Sequence, residues 1–385
     1  MNDSAGGWTA RLNPALSALD RSSWDRLSNP AGNPFLSYDF LKACEVSGCA
    51  SPATGWQPCH LSLHDETEAL IGAMPLYLKH HSAGEYVFDF AWAEAYERAG
   101  GAYYPKLLGA VPFTPVTGPR LLCAPDAPEN TRRSLVEAAV SFASRLQVSS
   151  LHVNFATPED QAVMREAGLI DRAQLQYWWR NPGYDSFDAF LGELSSSRRK
   201  SIRRERREAC QGLTIQRLSG SDIREAHWDA FFDFYLDTGE RKWGEPYFNR
   251  TFFSLLGETM ADQIVLVMAF EGERAVAGAL NLRGGDALFG RYWGTLIERP
   301  FLHFELCYYQ AMDIAIDERL ARVEAGAQGE HKIARGYRPE YTWSAHYIAD
   351  EALRAPVAER VRQERRLMAR TKAMIEREHL PFRSA

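Results

Sequence analysis

Nothing in this sequence reads as a disulfide or zinc framework. Its six cysteines (Cys44, Cys49, Cys59, Cys123, Cys210 and Cys307) form no CxxC pair and stand at no metal-ligand spacing with histidine. A reducing cytoplasm fits that usage, and no metal is called for. Long apolar runs are missing too. IVLVMAF at 264–270 is far shorter than the roughly 20 residues a membrane-spanning helix needs. The opening MNDSAGGWTARLN has no basic segment leading into an apolar one, so no secretory leader is recognised. These absences predict a cytoplasmic protein without a membrane span.

What is present sets the scale. A chain of 385 residues exceeds one ordinary compact core, so two domains are expected. Apolar content of 45% and charged content of 24% are those of a globular protein. The net charge of −6 is uneven. RRKSIRRERR, at 198–207, holds seven basic residues and one acidic residue, and removing its +6 leaves −12 for the rest. A mostly acidic surface repels a nucleic-acid backbone, which excludes general duplex-DNA binding. The basic helix itself suits one phosphate-bearing partner, with Arg198, Arg199, Lys200, Arg203, Arg204, Arg206 and Arg207 as its contacts. Its plain alternative is a solvated face with Glu205 and Glu208 as local partners.

The second half carries the clearest pattern. Apolar runs at 264–270, 275–282 and 287–294 are separated by EGER and RGGD, the turn chemistry of an antiparallel meander. Residues 302–320 lack Gly and Pro and predict a helix after Pro300. A strand is expected from about 321, another over 341–348, and a long charged helix over 352–379. The first half repeats the order. Strands are expected at 58–63, 69–79 and 85–90, a Pro- and aromatic-rich excursion at 91–122, a helix at 129–146, then strands at 151–155 and 173–179. ALIGAMPL at 69–76 also resembles AVAGALNL at 275–282, which with the matching order points to a duplicated fold. The join falls near NPGYDSFDAF, so the domains are read as 1–180 and 181–385. Phe187, Phe190, Leu191 and Leu194 follow at helical spacing and should face a core.

GAQGEHKIARGYRPEYTWSAH, at 326–346, gathers Glu330, His331, Lys332, Arg335, Tyr337, Ser344 and His346 between glycines. Proton acceptors, a cation and polar anchors in a segment that lets backbone approach a ligand suit a site; an exposed charged hairpin is the alternative. Glu330, His331, Glu305 and His303 are the candidates for taking a proton. Histidine begins nearest the working range. At the start of the 302–320 helix, Glu305 is held ionised by the helix terminus, while burial beside Tyr308 and Tyr309 would work the other way. In the first-half excursion, Asp89, Trp92, Glu94, Tyr96, Tyr103, Tyr104, Lys106, Thr114 and Arg120 combine aromatics with charge. They could line an acceptor cleft or, Trp92 and Tyr104 above all, belong to the core. Arg291 and Trp293, two apart on one strand, share a face.

Four segments taken together, at 88–122, 195–207, 299–316 and 326–339, resemble the FemAB-like predicted N-acyltransferases, relatives of the Fem peptidoglycan aminoacyl-transferases. The resemblance covers the chain from about Asn33. It implies an α/β fold of tandem GNAT-like domains around a cleft, moving an acyl or aminoacyl group to an amine acceptor without a bound cofactor. It also implies a role for Lys332, at the place in EHKIARGY where related domains carry a lysine, in holding the oxyanion. Arg335 and Tyr337 would assist substrate binding. GTLIERPFLHFE, before the second-half helix, lacks the glycine pair with which acetyl-CoA-dependent GNAT domains hold pyrophosphate. Aminoacyl-tRNA is therefore the expected donor, with acyl-CoA or a carrier protein as alternatives. A GNAT-type N-acetyltransferase and a non-catalytic binding protein on the same fold are the competing functions.

Overall fold

The computed structural model describes residues 2–5, 7–29, 32–242, 246–326 and 329–383; the side chains of 2–5, 240–242 and Glu330 lie outside that description. The fold is mixed α/β in two compact units, Met1–Gln174 with Tyr341–Arg370, and Leu175–Glu340 with Thr371–Ala385.

In the first unit, β1 (Asn2–Ala5), β2 (Trp8–Asn13), β4 (His60–Asp65), β5 (Leu70–Met74) and β8 (Leu122–Cys123) form one sheet. Antiparallel pairs join β3 (Trp56–Pro58) to β6 (Leu76–Lys79) and β6 to β7 (Lys106–Gly109). β7 then runs parallel to β9 (Ser150–Ala156). α1 (Arg21–Ser28) and α2 (Tyr38–Val46) open on Asp20 and Ser37, whose side chains accept backbone N–H bonds. α3 (Phe90–Arg98) precedes β7, α4 (Thr131–Arg145) links β8 to β9, and α5 (Pro158–Glu166) leads to β10 (Ile170–Arg180). α4 buries Leu135, Ala139 and Phe142 against Leu107, Leu151 and Val153.

The second unit starts with α6 (Phe187–Glu193) and α7 (Ser196–Ala209), then β11 (Thr214–Leu218), α8 (Glu225–Lys242) and α9 (Arg250–Met260). The meander follows as β12 (Ile264–Glu271), β13 (Arg274–Gly284) and β14 (Ala287–Thr295). Its two hairpins place Gly272 and Gly285 at positive φ, where a side chain would be strained. α10 (Leu302–Phe304), a π-helical turn over Glu305–Tyr309 and α11 (Gln310–Asp317) run end to end toward β15 (Arg322–Glu324). β16 (Arg338–Ile348) and α12 (Glu351–Glu378) complete the chain.

The repeated order is visible in the ladders. β7 and β9 share three parallel partners (Leu107↔Leu151 to Gly109↔Val153), as do β14 and β15 (Ala287↔Arg322 to Phe289↔Glu324). The ALIGAMPL and AVAGALNL strands part at one position. Pro75 cannot donate to a ladder, so β5 and β6 separate there and join different sheets. Asn281, in the matching place, follows a β-bulge and donates to Val265 O at 3.2 Å.

Three expectations change. Residues 85–89 form no strand; the buried Glu85 and Asp89 carboxylates turn inward to Lys106 instead. The 302–320 helix ends at Asp317 and contains the π turn. The expected division at 180/181 also differs from the compact units, because Tyr341–Arg370 belongs with the first. There Trp343–Ile348 pairs antiparallel with β9, and Val357 and Val361 of α12 pack with Trp92 and Tyr103.

Candidate active site

The site of interest is the fork between β14 and β15. Beyond Phe289↔Glu324 the parallel pairing stops, while β14 continues to Thr295 with β13 on its other side. Arg291 and Trp293 lie on this stretch. Close packing holds it in place: a Cβ on Gly294 would stand 2.0 Å from Phe234 O of α8.

Past β15 the chain reaches a 3-10 turn, Glu330–Arg335. Lys332 is buried there, and its ammonium donates to Ala325 O at 2.6 Å and Gly326 O at 3.0 Å. An ammonium carries three N–H donors, and among the described residues only two are used, which leaves one for a ligand. Burial first, then the positive charge of Arg291, pulls the Lys332 amine down to about 7. His331 is oriented from two sides. Its Nε2 lies 2.8 Å from Tyr308 Oη, and its carbonyl accepts from Arg335 at 2.8 Å. Gly329, at φ 113, makes room for the imidazole; a Cβ there would stand 2.5 Å from His331 Cε1. His303 bridges the fork and the turn, with ring centroids 4.6 Å from Trp293, 5.1 Å from Tyr308 and 6.0 Å from His331. Burial raises the Tyr308 phenol, which therefore stays protonated.

Other candidates turn out to frame this cluster. Glu305 is fully buried, and Arg206 grips both its oxygens at 2.9 and 3.1 Å while Gln310 donates at 2.7 Å. Both oxygens of this carboxylate are engaged inside the protein. Arg206 also binds Asp313 at 2.7 Å, so it is an internal strut and not a phosphate contact. Arg335 is buried on Glu205 (2.9 Å) and Tyr309 (3.0 Å), and Tyr337 is fully buried, so neither lines an open surface. Glu330 keeps its place in the turn, with its side chain outside the described residues. Arg198, Lys200, Arg203, Arg204 and Arg207 are exposed on α7, and Arg199 is half-buried.

The first-half candidates form a separate buried network. Lys106 donates to Glu85 at 2.9 Å, to Ser82 at 2.8 Å and to Asp89, which also accepts from Tyr103 at 2.7 Å. Tyr104 meets Ser82, and Trp92 packs edge-on against His346. Thr114 donates to Pro112 O, and Arg120 spends its donors on the carbonyls of Val116, Gly118 and Asn154. Of this group Glu94 is exposed, and Tyr96 reaches Asp350 at 3.0 Å. Asp89, Tyr103 and Lys106 are thus core residues, because a buried ammonium requires carboxylates around it. Ser344 and His346 belong to this first unit, where His346 meets His152. Tyr308 as partner of His331, and His152 as partner of His346, were not anticipated; nothing in their local sequence marks either contact.

The six cysteines are free thiols. Among the described residues no helix is long and apolar enough to cross a membrane, and no cluster of acids, cysteines and histidines suits a metal.

A family model described as peptidoglycan biosynthesis/recognition matches residues 15–384. The chain belongs to the FemAB-like family. No curated protein sequence matches it. Among solved structures it is similar to FemX, with 11% identity, a TM-score of 0.55, and 88% of this chain and 98% of that one covered. It is also similar to the C-terminal domain of a putative lysylphosphatidylglycerol synthetase from Agrobacterium fabrum, with 9% identity, a TM-score of 0.54 and coverage of 90% and 97%. L-PGS from Bacillus licheniformis follows, with 9% identity, a TM-score of 0.50 and coverage of 87% and 98%. At such identities the likeness is one of fold, and the fold is the mixed α/β one expected. FemAB-like membership ties the chain to peptidoglycan biosynthesis or recognition.

Proposed function

We propose that this FemAB-like chain is an N-acyltransferase that takes an acyl or aminoacyl group from a phosphate-bearing carrier, aminoacyl-tRNA foremost, and gives it to an amine. The observation that carries the proposal is Lys332, whose ammonium is fixed by two carbonyls with one donor left over at the end of the β14–β15 fork.

The donor's acyl arm enters at the end of the β14–β15 fork, and its carbonyl oxygen meets the third N–H of Lys332. The amine attacks the carbonyl carbon, and the negative charge that develops on oxygen is stabilised by a donor already in position. His331 or His303 accepts the amine proton. Collapse breaks the bond from acyl carbon to carrier oxygen, and that proton goes to the departing oxygen. The products are an amide and the free carrier. On the outward face of α7, Arg198, Arg199, Lys200, Arg203, Arg204 and Arg207 offer the carrier's phosphates a concentrated positive strip. Acyl-CoA, whose thioester carbonyl would meet the same Lys332 ammonium, is the second reading.

The test offers labelled aminoacyl-tRNA and labelled acetyl-CoA separately, each with a mixed pool of amines. Transfer from the former, with binding that weakens steeply as salt rises, is expected, because each phosphate contact releases condensed counterions. Transfer from acetyl-CoA alone, with salt-insensitive binding, would overturn the carrier. Transfer from neither would return the chain to a binding role.

A further inference from the structure

Glu305–Tyr309 form a π turn inside an otherwise α-helical run, a feature that often marks functional sites, and two successive tyrosines in it are both buried. Both turn to the Glu330–Arg335 segment. Tyr308 Oη lies 2.8 Å from His331 Nε2. Tyr309 Oη accepts from Arg335 Nε at 3.0 Å, and Arg335 donates in turn to the His331 carbonyl at 2.8 Å. The imidazole is packed as well, with its centroid 5.5 Å from Phe304, 5.7 Å from Tyr308 and 6.0 Å from His303. Phe304 also carries the Arg335 guanidinium, 3.4 Å from its ring centroid. One helix thus holds both the ring and the backbone of His331.

The direction of the Tyr308–His331 bond decides what His331 can do. Burial keeps the Tyr308 phenol protonated. It therefore owns one O–H, and His331 Nε2 is its one hydrogen-bond partner among the described residues. A hydrogen on Nε2 would face the phenol's own and strip it of its acceptor inside a buried site, at the desolvation cost of an unpaired donor. The phenol donates, Nε2 accepts, and the neutral ring carries its hydrogen on Nδ1. In that form neither nitrogen offers a lone pair to an incoming amine proton. We propose that Tyr308 is a positioning residue, which holds His331 as the Nδ1–H tautomer and leaves proton acceptance to His303. The assignment rests on the N-acyltransferase reading and narrows it. His303 packs half-buried against Trp293 and Tyr308, at 4.6 and 5.1 Å between ring centroids. As the amine nitrogen bonds the acyl carbon, its N–H breaks and the proton goes to His303, which returns it to the departing carrier oxygen.

Long-range proton–nitrogen correlation spectra of the full chain, with isotope-labelled histidine, read the tautomer directly. His331 is assigned by the signals lost in His331→Asn. Its Nδ1 should carry the hydrogen, and Tyr308→Phe should release the ring to a mixture with the Nε2–H form. In the transfer assay His303→Asn should lower kcat about 100-fold or more, the scale of a lost general base, and remove the acid limb of the pH profile. His331→Asn keeps a side-chain N–H near the Nδ1 position, so it should cost less in kcat and retain that limb. An Nε2–H ring in the parent overturns the role of Tyr308, as does a spectrum unchanged in Tyr308→Phe. Loss of the acid limb in His331→Asn overturns His303 as the base. Without transfer from any donor, the N-acyltransferase reading fails and takes the base assignment with it, while the spectra still decide Tyr308.

Discussion

His152 and His346 meet Nδ1 to Nδ1 at 2.6 Å inside the first unit, so a single proton lies between two neutral imidazoles. Their outer nitrogens reach Ser150 at 2.8 Å and Ser344 at 3.0 Å, with Tyr103 Oη 3.3 Å from His152 and Trp92 packed on His346. Burial, followed by the charges of Lys106 and Arg172, holds His152 well below the usual histidine range. His346 is lowered by burial, then by His152, Arg172 and Lys106, with Asp89 acting the other way. The unfolded chain takes up both protons near pH 6.5 and the folded chain refuses them. Stability from this pair is therefore fully present above about pH 6.5 and drains away as the pH falls. With both rings neutral in the fold, the loss reaches about 2 kcal/mol per histidine at pH 5, and the limiting slope is about 2.7 kcal/mol per pH unit. Glu85, which burial pushes up to about 7, titrates in the same window with opposite sign, so the informative quantity is a difference between two proteins. H152N/H346N removes both titrations and lowers stability by a constant amount. Denaturant melts from pH 5 to 8 would be followed by hydrogen exchange in peptides covering Ser150–Ala156 and Trp343–Ile348. The variant's profile should be flatter by up to two protons below pH 6; parallel profiles would refute the argument.

Three more outcomes are expected. Lys332→Ala should slow transfer by about 3 kcal/mol, the scale of one lost oxyanion donor, and the parent's rate should fall as pH rises through about 7, where the ammonium is lost; a rate unchanged under chemistry-limited conditions removes Lys332 from the mechanism. Arg206→Ala should cost about 3–5 kcal/mol in a denaturant melt because it strands buried Glu305, against at most about 1 kcal/mol for Arg203→Ala, whose pair with Asp188 is exposed; equal costs would contradict the strut. Gly294→Ala should lower stability by at least about 1–3 kcal/mol, since the added methyl runs into the backbone of α8; a wild-type melting temperature would show that this packing yields.

Local chemistry alone determined a good deal. Turn residues between apolar runs marked β12, β13 and β14 to within one or two residues, because glycine at a turn and a continuous apolar run are read from neighbours. The helices near 131–145 and 351–378, and the duplicated order, were legible for the same reason. Lys332 and His331 stood out because a glycine-flanked polar segment is unusual wherever it folds. Tertiary structure decided what each charge is for. Asp89, Tyr103 and Lys106 looked like a cleft lining, yet they satisfy one another in the interior. Arg206 looked like its neighbours on α7, but helical phase turns it inward to Glu305 and Asp313. Ser344 and His346 follow Lys332 by barely a dozen residues and belong to a different unit, since β16 carries them to β9. Sequence fixes which groups a chain owns and how they are spaced. Whether a carboxylate meets water, a lysine or an arginine depends on partners brought from a hundred residues away, and that long-range pairing sets both its charge and its use.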